Sequence, residues 1–310
     1  MSKINTDHFF RMVGDKIDDS SDLHFFSSFF EGMNFNYNNL GESETKSLCE
    51  VILASIKGDR FEPSSPKRQS KWENGWAENL REFLNNPVDQ NALIPKYYKP
   101  SKFSRWNSAF ITTESETFQY DFFQVLRLYL TSVYFKNFEH LYEFGCGPAH
   151  NIAWIGKMYP NMHYVGLDWA KSSVEIIEKL AKTANLNCEG KYFNFFKPDT
   201  KLVFFEGTVV VTFGGLEQIG DKHDRFIQFL LEKKPDLVVN VEPIIEFYDE
   251  ENDIDSLAIE YSRKRNYLRG YFTRLMVLQK RNKVYIQKAF RVPFGGLYHE
   301  GWSVVIWRPL

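Results

Sequence analysis

The 310-residue chain is short of cysteine: only Cys49, Cys146 and Cys188 are present. So small and scattered a set supports neither a disulfide framework nor a thiolate zinc site. It suits a reducing compartment, and a cytoplasmic location is expected. No apolar run approaches the roughly 20 residues of a membrane-spanning helix. The opening MSKINTDHFFRMVGDKIDDSSD is too acidic and too interrupted to be a secretion signal. Neither charge is in excess: 38 basic and 40 acidic residues leave a net charge of −2, so no basic footprint for nucleic acid is expected. Internal repeats and low-complexity tracts are also missing. What the chain has in quantity is aromatic side chains, 17% of residues, more than a core alone needs and suited to a pocket for a flat base or a sugar face.

The most informative stretch is LYEFGCGPAHNIAWIGKMYPNMHYVGLDWA, residues 141–170. Leu141–Phe144 predicts a strand, and Gly145 and Gly147 a tight turn where a side chain would block a ligand's approach to the backbone. Asn151–Tyr159 has helical spacing through Ile152, Ile155 and Met158, and Pro160 ends it. Tyr164–Leu167 predicts a second strand closed by Asp168. An acid about 20 residues beyond such a turn is placed to bind both hydroxyls of a ribose. The dinucleotide fingerprint requires a third glycine where this chain has His150, and Glu143 precedes the first glycine. A carboxylate there repels a pyrophosphate and favours a ligand with an ammonium group and no phosphate, as in S-adenosylmethionine.

EFGCGP followed by GLDW resembles the first motif and the ribose motif of class I S-adenosylmethionine-dependent methyltransferases, over roughly residues 118 to 243. KWENGWAENL, IPKYY, GLDWAKSS and GGLYHEGWSVVIW extend a looser resemblance to bacterial sugar or small-molecule O-methyltransferases. His150 departs from the small residue usual at its position. The resemblance implies a cofactor site of Glu143, Gly145, Cys146, Gly147, Asn151, Asp168, Trp169, Asn194, Phe195, Phe213 and Gly214, with Trp169 along the adenine and Asn194 at its amine.

The remaining patterns predict an α/β fold: a Rossmann-like, seven-stranded, mostly parallel sheet with an antiparallel C-terminal hairpin, over residues 116–310. Strands are expected at Lys191–Phe195, Gly207–Thr212, Leu237–Val241, Val284–Phe290 and Trp302–Trp307, with a helical insertion at about 246–283. Residues 1–115 predict an N-terminal helical cap in which Glu42–Lys57 is the clearest helix, followed by a polar linker at 58–71.

Ligands bind at the carboxyl ends of strands in such sheets. Glu217 and Gln218 follow the fourth strand, and Asn240 and Glu242 end the fifth. Glu217, Asn240 and Glu242 carry oxygens that magnesium accepts, but their spacing matches no metal signature and no metal is expected. His299, in the YHEG turn beside Tyr298, is the candidate base for deprotonating a hydroxyl, with Glu217 or Glu242 orienting it. Arg265 and Arg269, one helical turn apart, form a candidate clamp for a phosphorylated or nucleotide-linked acceptor. Tyr98 and Arg105, with Tyr97, are candidates to cover the cofactor. The expected function is O-methylation of a sugar or other small hydroxyl compound, releasing S-adenosylhomocysteine, with no nucleic-acid partner and nothing opposed to a homodimer. Alternatives are methylation of nitrogen or protein (although the D/N-PPY signature is replaced by TFGGL), a non-catalytic cofactor-binding protein and, less favoured, a nicotinamide dehydrogenase.

Overall fold

The computed structural model describes residues 1–310. The front of the chain forms β1 (Ser2–Lys3), α1 (Thr6–Val13), α2 (Ser20–Glu31), β2 (Asn36–Asn39), α3 (Glu42–Lys57), α4 (Gln69–Asn85), β3 (Phe103–Trp106) and β4 (Ala109–Thr113). Helix α5 (Phe118–Leu130) leads into β5 (His140–Phe144), α6 (His150–Met158), β6 (His163–Asp168), α7 (Lys171–Thr183) and β7 (Cys188–Tyr192). Then follow β8 (Thr208–Phe213), α8 (Asp224–Lys233), β9 (Leu237–Glu242), α9 (Asp253–Arg265), α10 (Tyr271–Lys280), β10 (Val284–Phe290), β11 (Phe294–Gly295) and β12 (Ser303–Pro309).

The main sheet has the order β10-β12-β9-β8-β5-β6-β7. Strands β9, β8, β5, β6 and β7 run parallel, and β12 lies antiparallel between β9 and β10. This is the expected sheet with its antiparallel C-terminal pair. Every residue of β8 (TVVVTF) and β9 (LVVNVE) is buried, as their β-branched runs require when helices cover both faces. From β5 the chain proceeds outward through β6 and β7, then returns to the other side of β5 for β8. That reversal opens a crevice at the tips of β5 and β8, where such sheets bind ligands.

The front segment is helical as expected, but it also carries strands. β1, β2, β4 and β3 form a second sheet, and its last member, β11, comes from the connection between β10 and β12. NYNN, FSRW and AFITT are too short and too mixed for period-two patterning to reveal. Phe9, Phe26, Phe30 and Phe35 pack in the same apolar cluster as Leu141, Val209 and Val239 of the main sheet.

The predicted helical insertion at about 246–283 contains two helices, α9 and α10. Asn252 starts α9 by accepting from the amides of Ile254 and Asp255. Asn266 ends it in the left-handed region at φ 52°, and Gly270 at φ 73° precedes α10. The third parallel strand runs over Cys188–Tyr192, earlier than expected, so Asn194 falls beyond its end.

Arg291 locks the β10–β12 connection to α9. Its guanidinium reaches Asp255 Oδ1 at 2.7 Å and Glu300 at 2.7 and 2.8 Å, and both carboxylates are buried. Arg291→Ala would leave two buried carboxylates unpaired. It is expected to lower the unfolding free energy by about 3–5 kcal/mol in denaturant titration; a loss below about 1 kcal/mol would show that the pairing is unimportant to the fold.

Candidate active site

Gly145 (φ 72°) and Gly147 (φ 52°) make the turn after β5. A Cβ on Gly145 would lie 2.9 Å from the Cα of Gly215, because the loops after β5 and β8 cross at the crevice. A Cβ on Gly147 would meet Trp76 at 3.0 Å. The amide of Gly147 donates to Asp168 Oδ2 at 2.9 Å, and that of Ala170 to Oδ1 at 2.9 Å. Burial raises the Asp168 carboxyl to about 6 against these amides, which hold it down. Each oxygen keeps a lone pair for a further donor, and Asp168 lines the crevice.

Glu143 is buried at the tip of β5. Asn151 Nδ2 donates to its Oε1 at 2.7 Å, and Arg127 Nη1 donates to Asn151 Oδ1 at 2.9 Å. Its Oε2 has no partner, and Glu143 borders the cavity. Burial pushes this carboxyl up to about 8, opposed by Asn151 and Arg127. His150, where the third glycine was missing, completes a buried network: Arg127 Nη1 lies 3.2 Å from its Nδ1 and the Tyr120 hydroxyl 2.8 Å from its Nε2. Burial first, and the Arg127 charge second, hold its pKa well below the ordinary range, so the ring is neutral. A neutral ring accepting from Arg127 at Nδ1 carries its proton at Nε2 and offers it to Tyr120.

Two connected spaces open from the turn, with Trp72, Trp76, Gly145 and Gly214 lining both. One is an aromatic slot of about 70 Å³ bordered by Asp168, Trp169, Phe195, Phe196, Gln218 and Ile219. The other is a cavity of about 460 Å³ reaching past Glu143, Cys146, Asn151 and Phe213 to Tyr98, Glu217, Arg265 and His299. Helix α4 roofs both. Trp72 and Trp76, one turn apart, stack at 5.3 Å. On the same face, Gln69 donates to the Trp169 carbonyl at 2.9 Å, and Glu73 accepts from the amides of Lys171 and Ser172 at 2.6 and 3.1 Å. Glu73 thus caps α7 from another helix and holds the roof in place. Sequence reading missed this role; the visible signal was the helical spacing of Gln69, Trp72, Glu73 and Trp76 within QSKWENGW.

At the far end, His299 Nε2 lies 3.9 Å from Glu217 Oε2, and its ring packs on Tyr261 and Tyr267 at 5.1 and 5.6 Å. Several other expected residues are elsewhere. Asn194 Oδ1 accepts from its own turn at the Phe196 amide, 2.9 Å, and its side chain does not border the slot. Glu242 is wholly buried, its oxygens taken by the amides of Leu216 and Glu217 at 3.1 and 3.0 Å, so it shapes the turn carrying Glu217 from behind. Asn240 is bound by Thr212, Tyr271 and Trp307, so it does not join Glu217 and Glu242 as an oxygen cluster. Arg269, past the end of α9, is held by Asn266 at 2.6 Å and Asp221 at 2.9 Å, away from Arg265. Arg105 is buried against the carbonyls of Leu297 and Ile254. Tyr298 stacks on Tyr261 at 5.1 Å outside the cavity lining.

No known protein-family pattern and no curated protein matches the chain. Among solved structures it is similar to N,N-8-amino-8-demethyl-D-riboflavin dimethyltransferase from Streptomyces davawensis, at 16% identity over 87% of this chain and 71% of that one, with a TM-score of 0.46. It is also similar to an O-methyltransferase from neocarzinostatin biosynthesis in complex with S-adenosyl-L-homocysteine and 1,4-dihydroxy-2-naphthoic acid. That likeness has 11% identity over 78% of this chain and 70% of that one, with a TM-score of 0.43.

Replacing Glu73 with alanine uncaps α7 and frees the roof. A loss of about 1 kcal/mol is expected by calorimetry, with faster protease cleavage in the segment 58–65, since the helical residues begin at Pro66, before the expected linker end at 71; unchanged cleavage would show that α4 is held by other contacts.

Proposed function

We propose that the protein transfers a methyl group from S-adenosylmethionine to a hydroxyl of a small-molecule acceptor. The observation that carries this reading is Glu143, a buried carboxylate with one unpartnered oxygen at the glycine turn. Asn151, in the first turn of α6, ties that acid to the helix start, so a group that an ammonium ligand favours in its charged form, and a pyrophosphate does not, occupies the place where a pyrophosphate would otherwise bind. A ligand with an ammonium group fits; a dinucleotide does not.

The residues present fit this cofactor. Glu143 Oε2 would receive its amino group and Asp168 its ribose hydroxyls, while Trp169, Phe195 and Phe196 would flank the adenine. When bound, S-adenosylmethionine supplies a methyl carbon on a positively charged sulfur, which keeps the bonding electron pair as the acceptor oxygen takes the methyl. The protein's task is then alignment, which can supply about 7–11 kcal/mol of the barrier. His299 would take the hydroxyl proton at Nε2, and the carboxylate of Glu217 beside it would steady the resulting charge. The favoured acceptor is a sugar or comparable hydroxyl compound, because the larger cavity has aromatic walls and polar groups at its far end.

Calorimetric titration with S-adenosylhomocysteine tests the core claim; tight NADH binding with no S-adenosylhomocysteine binding would overturn it. The Glu143 carboxyl is raised to about 8, so it is mostly protonated at neutral pH and attracts a cation only after losing its proton. Affinity is therefore expected to rise as pH increases from about 7 to about 9, and Glu143→Gln to remove that rise. A flat profile in the unmodified protein would take Glu143 out of cofactor binding. His299→Ala is expected to slow turnover by roughly 10²-fold or more with cofactor affinity unchanged; full activity would exclude His299 as the base.

A further inference from the structure

The larger cavity is lined by two guanidinium groups, those of Arg68 and Arg265, that form no ion pair with a carboxylate of the protein. Arg265, in the last turn of α9, lies over Tyr267 at 4.9 Å and Tyr261 at 6.0 Å. Its Nε is buried with no hydrogen-bond partner, and no carboxylate pairs with it. Arg68, at the start of the roof, lines the same cavity, and its Nε is also buried and unpartnered. Arg68 Nη1 reaches only neutral oxygens, Gln218 Oε1 at 3.2 Å and Ser64 Oγ at 3.5 Å. The nearby acids are engaged elsewhere: Glu62 pairs with Lys71 at 3.0 Å, and Glu217 faces His299 and Gln218. Burial first, and the Arg265 charge second, hold Arg68 below the usual guanidinium range, with Tyr267, Glu62 and Glu217 opposing them, which places the two cations within each other's field.

Two half-buried guanidinium groups, each with a buried Nε left without a partner and close enough to repel one another, are stabilised when an anion joins them. We infer that the acceptor carries an anionic group, a carboxylate or a phosphate, seated between Arg68 and Arg265. The two guanidiniums offer the forked donors that match such oxygens. Tyr261 and Tyr267 touch both Arg265 and His299. An acceptor anchored at Arg265 therefore lies along the tyrosine pair and presents its hydroxyl toward His299. The seat also replaces the Arg265–Arg269 clamp expected from spacing, since Arg269 is tied to Asp221 outside the cavity. This inference rests on the methyl-transfer reading for the acceptor's role, but not for the existence of the anion seat.

The test is calorimetric binding to the full chain, with and without S-adenosylhomocysteine. The probes are 4-hydroxybenzoate and glucose 1-phosphate against their neutral counterparts, 4-hydroxybenzyl alcohol and glucose. At least one anion is expected to bind more tightly than its neutral counterpart, and which one does so separates carboxylate from phosphate. Arg265→Gln and Arg68→Gln are each expected to weaken that binding about tenfold or more, with Arg265→Lys recovering part of it. S-adenosylhomocysteine affinity of the variants checks that they remain folded. Equal binding of anion and neutral counterpart, no binding of either anion, or retained affinity in both glutamine variants overturns the seat. Loss of S-adenosylhomocysteine binding in the unmodified protein overturns the methyl-transfer reading instead.

Discussion

The Gly147 amide donates to one oxygen of Asp168 and the Ala170 amide to the other, each at 2.9 Å, so one buried side chain joins the turn after β5 to the start of α7. A buried carboxylate must have such partners, and Asp168 finds them only if the turn takes the tight path that two glycines allow. The turn then passes close enough to Gly215 and Trp76 that a methyl group on either glycine would meet them. The crevice at the strand-order reversal, the slot beside it and the roof above it all take their shape from this joint.

The roof depends on it in turn. Glu73 reaches the first amides of α7, directly after Ala170, so helix α4 is referenced to the same point as the glycine turn. At the other end of the cavity, β11 leaves the C-terminal pair to complete the sheet of the front segment, and Arg291 ties that connection to two buried carboxylates. His299 lies within this connection, so its position relative to Glu217 is set by long-range pairing.

Much of the central architecture was legible because it is written in local periodicity. The β-branched run of β8, the glycine turn and the acid closing β6 each specify their element with little outside help. The front strands were not legible: each is two to five residues long, and β11 pairs with a partner nearly 190 residues away. The split between α9 and α10 turns on two residues in the left-handed region, Asn266 and Gly270. That break sends Arg269 to Asp221 and leaves Arg265 facing the cavity.

The sequence by itself determined that a mostly parallel sheet forms and that a glycine turn lies between Glu143 and Asp168, because each strand and the turn are patterns local in the chain; the order of the strands in the sheet came with the tertiary structure. Only the tertiary structure decided which polar side chains face the cavity. Asn194, Arg105 and Glu242 have chemistry suited to a site, yet nearby backbone groups take up their hydrogen bonds. Arg68, Trp72 and Trp76 enter it from a helix distant in sequence. A buried polar group is free for a ligand only when no backbone or side-chain partner has claimed it, and that accounting is complete only once the chain has folded.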